Sequence, residues 1–182
     1  MSVGWQKFLN YFFGEMKNTF TFVVYTTIVF VFMKLEDELK QSKFKDEFQR
    51  VMLNIVFTSG WVEVSILHAL KKYDISSQQY NVLRILRGSK PNPLNLSDIQ
   101  ERMMDKMSNA TRLVEKLRQK GLLTRVQCEQ NRRKVEIEIT EKGIQLLAEL
   151  DPIMEKNNKA ITRHLTSEEA HQLNILLDKL RG

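Results

Sequence analysis

The segment DKMSNATRLVEKLRQKG, residues 105–121, constrains this chain more than any other. Its apolar residues Met107, Ala110, Leu113, Val114 and Leu117 fall on one side at helical spacing. Lys106, Ser108, Asn109, Thr111, Arg112, Glu115, Lys116 and Arg118 take the remaining surface. That pattern predicts an amphipathic helix over 105–120 with a polar, basic outer face. Gly121 is placed to close it in the left-handed conformation. Two strand-like runs follow at once. The first covers 122–128; the second, 134–140, alternates strictly, with Val135, Ile137 and Ile139 on one face and Glu136 and Glu138 on the other. This is the period-2 signature of a half-buried strand. Residues 129–133, which include Asn131, Arg132 and Arg133, are the expected hairpin tip.

Upstream, Ser76 and Gln79 have the S-x-x-Q form of a capping box and open a helix carrying Tyr80, Val82, Leu83, Ile85 and Leu86, which stops at Gly88. A Pro-containing breaker spans 89–93. Ser97 and Gln100 repeat the box and predict a short helix from Asp98 to about Met104, so two short helices joined by a tight connection precede the strands. Residues 35–72 read as two helices with wide apolar faces, Phe44, Phe48, Val51, Met52 and Ile55, then Val62, Ile66, Leu67 and Leu70, separated by a break near Ser59-Gly60. Downstream, 141–164 and 166–180 read as two more helices, the last opened by a Thr166/Glu169 box. Their apolar positions, Ile144, Leu147, Leu150, Ile153 and Met154, then Leu173, Leu176, Leu177 and Leu180, exceed what a small domain covers, and a second copy of the chain is the expected cover.

Residues 18–33 form an uncharged run between Lys17 and Lys34. As helix it spans roughly 24 Å, short of a ~30 Å hydrocarbon core, and no small-x-small cleavage site follows it. From Met33 the composition switches to charged helix formers. Residues 1–32 are read as sequence upstream of a wrongly assigned start, as a tether or membrane-associated segment, or as an extra element packed on the domain.

Charge narrows the class of partner. Residues 76–140 hold 13 Lys and Arg against 7 Asp and Glu, so the whole net charge of +6 sits in the middle third. A local basic excess favours a polyanion, because Lys and Arg release counterions when they neutralise phosphates. The single cysteine, Cys128, excludes an intramolecular disulfide and a multi-Cys zinc site, fits a reducing compartment, and reads as an inert strand residue. His68, His164 and His171 lack metal-ligand spacing, so no metal and no cofactor are expected. There is no Gly-rich phosphate loop, no H-E-x-x-H and no nucleophile elbow. Carboxylate clusters at 36–38 and 168–169 fall at helix starts, where the dipole explains them. An enzyme is not expected.

The order helix, helix, helix-turn-helix, two-stranded wing, helix, helix, with NATRLVEKLRQKGLLTR and then NRRKVEIEITEKG, resembles the MarR family of bacterial winged-helix transcriptional regulators over about residues 35–182. The specific part combines Thr111-Arg112-Leu113-Val114, Leu117, Gly121-Leu122, Arg125, the Arg132-Arg133 pair and Ile139-Thr140-Glu141-Lys142-Gly143. The resemblance implies a mainly α fold with a small antiparallel β-wing. It divides into an N-terminal extension (1–32), dimerisation helices (33–75), a winged helix-turn-helix (76–140) and C-terminal dimerisation helices (141–182). It implies a cytoplasmic homodimer that binds a pseudo-palindromic operator in double-stranded DNA and acts as a repressor or activator, with the ligand-responsive repressor the expected case, often relieved by a small phenolic or lipophilic effector or by oxidation.

On that reading Ser108, Asn109, Thr111 and Arg112 reach bases or phosphates, with Arg the best reader of guanine. Lys106, Lys116 and Arg118 are phosphate contacts. Arg132 and Arg133 serve the wing, although the Asp that the family usually carries two residues before the key Arg is here Asn131. Trp61, His68, Tyr73 and Tyr80 lie where the family's effector pocket forms. The competing reading is a winged-helix protein-interaction module, membrane-tethered through residues 18–33.

Overall fold

The structure, a computed structural model, describes residues 34–128 and 131–182, and of Cys128 and residues 131–134 the backbone alone. The readings attached to residues 1–32 and to the apolar run 18–33 lie outside the described residues. The chain divides into two compact units, Met1–Asn54 and Ile55–Gly182.

In the first unit, α1 (Leu35–Leu39) ends where Lys40 turns left-handed at φ 52° and donates its N–H to the Glu36 carbonyl. After a loop comes α2 (Glu47–Leu70), which continues into the second unit. The Arg50 guanidinium reaches the Glu36 carboxylate at 2.8 Å. The expected break at Ser59-Gly60 is absent, because α2 runs through both residues as one helix of 24 residues. A helical glycine costs only about 1 kcal/mol relative to Ala, and open space surrounds the place where a Gly60 Cβ would sit, so nothing there forces a turn. The break falls in the loop after Lys40 instead.

In the second unit a 3₁₀ turn (Lys71–Tyr73) and Asp74, left-handed at φ 53°, redirect the chain into α3 (Ser77–Ser89). The Ser76/Gln79 capping box forms as expected. The next box does not. α4 (Leu96–Arg102) is capped by Asn95 and Asp98, and Ser97 lies inside the helix. The start is set by the residue before the cap. Leu94 exchanges two backbone hydrogen bonds with Ile137, at 3.1 and 2.8 Å, which anchors the chain two residues earlier than the sequence pattern suggested.

α5 (Ala110–Gln119) is shorter than expected, since residues 105–109 form a turn and Asn109 is the N-cap. It ends in two reverse hydrogen bonds, Gly121 N–H to the Arg118 carbonyl and Leu122 N–H to the Leu117 carbonyl, with Gly121 at φ 69°. That closure places a left-handed residue where only glycine is unstrained. β1 (Leu123–Cys128) and β2 (Asn131–Ile139) pair antiparallel from Leu123 opposite Ile139 to Gln127 opposite Val135, then shift so that Cys128 faces Asn131. β2 therefore begins at Asn131, and Arg132 and Arg133 belong to that strand rather than to a five-residue tip.

α6 (Glu141–Thr162), capped by Thr140, passes through Pro152 without ending, and α7 (Ser167–Arg181) carries the expected Thr166/Glu169 box. One core joins these pieces: Leu83 and Leu86 of α3, Ile99 of α4, Leu117 of α5, Ile137 of β2 and Leu147 and Leu150 of α6 are all essentially inaccessible. Gly143 lets α6 approach the wing base, since a Cβ there would lie inside the Leu122 carbonyl and 2.7 Å from Ile139 Cγ1. By contrast, α7 has no buried residue.

Candidate nucleic-acid interface

The outward surface of α5 is built by its two ends. At the start, Asn109 Oδ1 accepts the Arg112 N–H at 3.0 Å, satisfying one of the orphan donors of the first turn. Beyond the end, Lys142 Nζ donates to the Lys120 carbonyl and Thr140 Oγ1 to the Gly121 carbonyl, both at 2.8 Å. Lys120 in turn pairs with the Asp74 carboxylate at 2.8 Å, and this bonded ammonium holds the Asp74 carboxyl below its usual range. Ala110, Val114 and Leu117 are buried while Thr111, Arg112, Lys116 and Arg118 face out. The helix is thus held at both ends and presents one polar face.

The cations on that face are not equivalent. Arg118 is held by Glu115 through bonds of 3.0 and 2.9 Å, and the same pair lowers the Glu115 carboxyl. Arg112 is exposed, and among the described residues its guanidinium has no side-chain partner. Lys116 is exposed on the side of a broad groove that also holds His68, Lys71, Asp74 and Lys120.

Lys106, Ser108 and Asn109 lie in the turn before α5 rather than on it. The turn is organised by Asp105, whose carboxylate accepts the Met107 N–H at 3.0 Å and the Ser108 hydroxyl at 2.6 Å. Those bonds, the Ser108 hydroxyl first, lower the Asp105 carboxyl. Gln100 Nε2 donates to the Lys106 carbonyl at 2.7 Å, and Lys106 Nζ reaches the Glu101 carbonyl. Met107, expected on the apolar side, is 93% exposed. The helix begins three residues later, so helical periodicity does not govern its direction. The side chains of Arg132 and Arg133 lie outside the described part of the wing.

The four aromatic and histidine positions expected to share a pocket are not brought together. Tyr80 is buried and lines a cleft of about 230 Å³ with Ile66, Arg84, Met103, Met104 and Met154. His68 lines the separate groove beside Lys116 and Lys120. Trp61 is half exposed and Tyr73 packs against the core; neither lines either space. Trp61 and His68, seven residues apart, share a face of α2 but lie two turns apart along it, and of the two His68 alone lines the groove. The cleft contains two groups that the sequence reading passed over. Arg84 lies 5.9 Å from the Tyr80 ring centroid, and Asn81 Oδ1 accepts the Met104 N–H at 3.0 Å. The four-residue step from Tyr80 to Arg84 in a capped helix was the available signal.

Three short helices, a tight turn before the third, and a two-stranded hairpin behind it define a winged helix-turn-helix, the architecture that presents one helix to a DNA major groove. Residues 75–135 match the MarR family, and this segment is a MarR-family domain of the kind found in transcription regulators. Solved structures agree over most of the chain. A MarR transcription factor from Planctomyces limnophilus shares 29% identity, with a TM-score of 0.58, over 75% of this chain and 98% of its own. A MarR mutant from E. coli complexed with operator DNA shares 20% identity, TM-score 0.67, over 76% and 99%. Bordetella bronchiseptica BpsR, whose DNA binding is regulated by 6-hydroxynicotinic acid, shares 20%, TM-score 0.66, over 77% and 98%.

Proposed function

We propose that this chain is a ligand-responsive transcriptional repressor that binds a pseudo-palindromic operator as a cytoplasmic homodimer. The observation that carries the reading is α5: a helix held at both ends whose outer face offers Thr111 and an unpaired, exposed Arg112. An Arg free of internal partners is available for bidentate contact with guanine O6 and N7. Lys116 supplies a phosphate contact that orients without reading sequence. Ser108 and Asn109 act mainly through the turn and cap, Lys106 through the turn and a neighbouring phosphate, and Arg132 and Arg133 from the wing strand. The E. coli structure with operator DNA supports the docking mode.

Dimerisation is supported by what the second unit leaves uncovered. Leu173, Leu176 and Leu180 share one exposed face of α7, and Val56, Trp61, Val64 and Leu67 of α2 are exposed as well. Of the described residues, one helical stretch, Glu47–Tyr73, is long and apolar enough to cross a membrane by length and composition. Its end nonetheless places Leu70 in the winged-helix core with no exposure. A protein-facing role for this stripe is therefore favoured over a lipid-facing one.

For the effector, the cleft around Tyr80 and Arg84 suits a small aromatic acid or phenol, with an apolar wall, a cation and an aromatic ring. The 6-hydroxynicotinic acid response of the Bordetella relative supports that class. Asn81 gives the cleft a link to the turn before α5 through Met104, so a bound ligand can bias the spacing of two recognition helices that must match grooves ~34 Å apart.

The test is fluorescence anisotropy of the full chain against DNA from upstream of its own gene and an unrelated duplex of equal length, each at two salt concentrations. Tighter binding to the upstream DNA, weakening steeply with salt and released by 6-hydroxynicotinic acid or a phenolic panel, is expected. Equal or absent binding by a folded dimer favours the protein-interaction module.

A further inference from the structure

Met107 is the most exposed large apolar side chain among the described residues, at 93%. A lone exposed methionine on a surface needs no explanation. This one differs because the backbone carrying it is fixed from several directions. Its own N–H is bonded to Asp105 Oδ1, the carbonyl of the residue before it accepts Gln100 Nε2, and the hydroxyl of the residue after it is bonded to Asp105 Oδ2. Two residues on, Asn109 caps α5. Met107 also shares a shallow depression between α4 and α5 with Asn109 and Thr111, the residues at the entry of the recognition helix.

From this placement we propose that Met107 is a specificity-determining residue whose thioether side chain packs against the 5-methyl group of a thymine in the operator. The proposal rests on the reading above, in which α5 enters the major groove. In that groove thymine is the base that displays a methyl group, and apolar side chains distinguish it by burying that methyl. A long, unbranched, polarisable side chain adapts to such a contact better than a branched one. The division of labour is then chemical, with Arg112 reading a guanine edge by hydrogen bonds and Met107 reading a thymine by apolar area. Met104, also strongly exposed, lies on the other side of the turn, against the Tyr80 cleft.

The experiment first selects a high-affinity duplex from a random pool with the full-length protein. Each thymine of one half-site is then replaced singly by deoxyuridine, which pairs identically and lacks only the methyl. Wild type, Met107→Leu and Met107→Ala are titrated against the set. At one thymine, deoxyuridine is expected to weaken wild type and Met107→Leu roughly threefold to tenfold, the scale of one buried methyl-sized contact. At that position Met107→Ala should bind both duplexes alike. Equal sensitivity of wild type and Met107→Ala at every thymine overturns the proposal while leaving the regulator reading intact. So does a Met107→Ala loss that no thymine accounts for, which points to a backbone contact or a wedge. Failure to enrich any sequence overturns the regulator reading, and this inference with it.

Discussion

The winged unit and the helices that flank it are made from the same local devices and end in opposite states. α3, α5 and α7 each begin with a side-chain cap on the third residue of the helix. Yet α3 and α5 set their apolar faces into the core, with Ile85 and Leu113 partly buried at its margin, while α7 has no buried residue and exposes Leu173, Ile175, Leu176 and Leu180. Capping thus decides where a helix starts and says nothing about what covers it. The contrast separates a part of the chain that closes on itself from a part that leaves its apolar side chains exposed. A second copy of this chain is the surface proposed here.

The sharpest way to break that contrast is Leu176→Asp. Across a two-fold interface the change occurs twice, removing ~1.5–3 kcal/mol of burial at each site. The expected result by sedimentation is a dissociation constant raised at least about a hundredfold with circular dichroism of the monomer preserved. An unchanged oligomer would show that the stripe is not the interface.

Leu117→Ala probes the closed side. It removes a fully buried side chain from the inner face of α5, and a loss of roughly 2–5 kcal/mol in unfolding free energy is expected, read by urea titration. A value near zero would mean that α5 is not anchored through this face.

Arg112→Ala tests the outer surface of the same helix. Specific operator binding should weaken by roughly 1–3 kcal/mol with relaxed discrimination at one half-site position, and thermal stability should not move. An equal loss on every sequence would reassign Arg112 to phosphate.

The smallest effect is expected at the ion pair between Arg87 of α3 and Asp151 of α6, bonded at 2.7 and 3.0 Å. Hydrogen bonding to Arg87 lowers the Asp151 carboxyl below its ordinary 3.8. A depressed carboxyl contributes stability above its unfolded value and loses that contribution as pH falls through the folded value. Both side chains are about a third to a half exposed, so screening limits the pair to about 1 kcal/mol or less. Asp151→Asn should therefore lower stability slightly at pH 7 and flatten the acid limb below about pH 4. Parallel acid limbs in wild type and variant would remove the pair from the account.

Much of the fold was legible because its signals are short-range. The Ser76/Gln79 and Thr166/Glu169 boxes, the Gly121 closure and the alternation through Val135, Ile137 and Ile139 each depend on residues a few positions apart. Each departure from the sequence pattern has its own physical cause. Ser97/Gln100 fits a capping box as well as Asn95/Asp98 does, and the backbone pairing of Leu94 with Ile137, distant in the chain, selects between them. Gly60 resembles a helix break in isolation, but the helix through it is long and Leu70 at its end is locked in the core. Met107 was placed on an apolar face by counting helical turns through residues that Asp105 ties into a turn. Tyr80 and His68, both expected near the family's effector pocket, line two separate spaces, because they sit on different helices.

By itself, then, the sequence determined the Ser76/Gln79 and Thr166/Glu169 caps, the alternation in β2 and which face of α5 is polar, because propensity, capping and periodicity act within one or two turns of chain. Only the tertiary structure decided where α4 begins, that α6 packs against the wing base at Gly143, and that His68 and Tyr80 line separate spaces. Each of those outcomes depends on packing and hydrogen-bond geometry in three dimensions, which periodicity and capping signals do not encode.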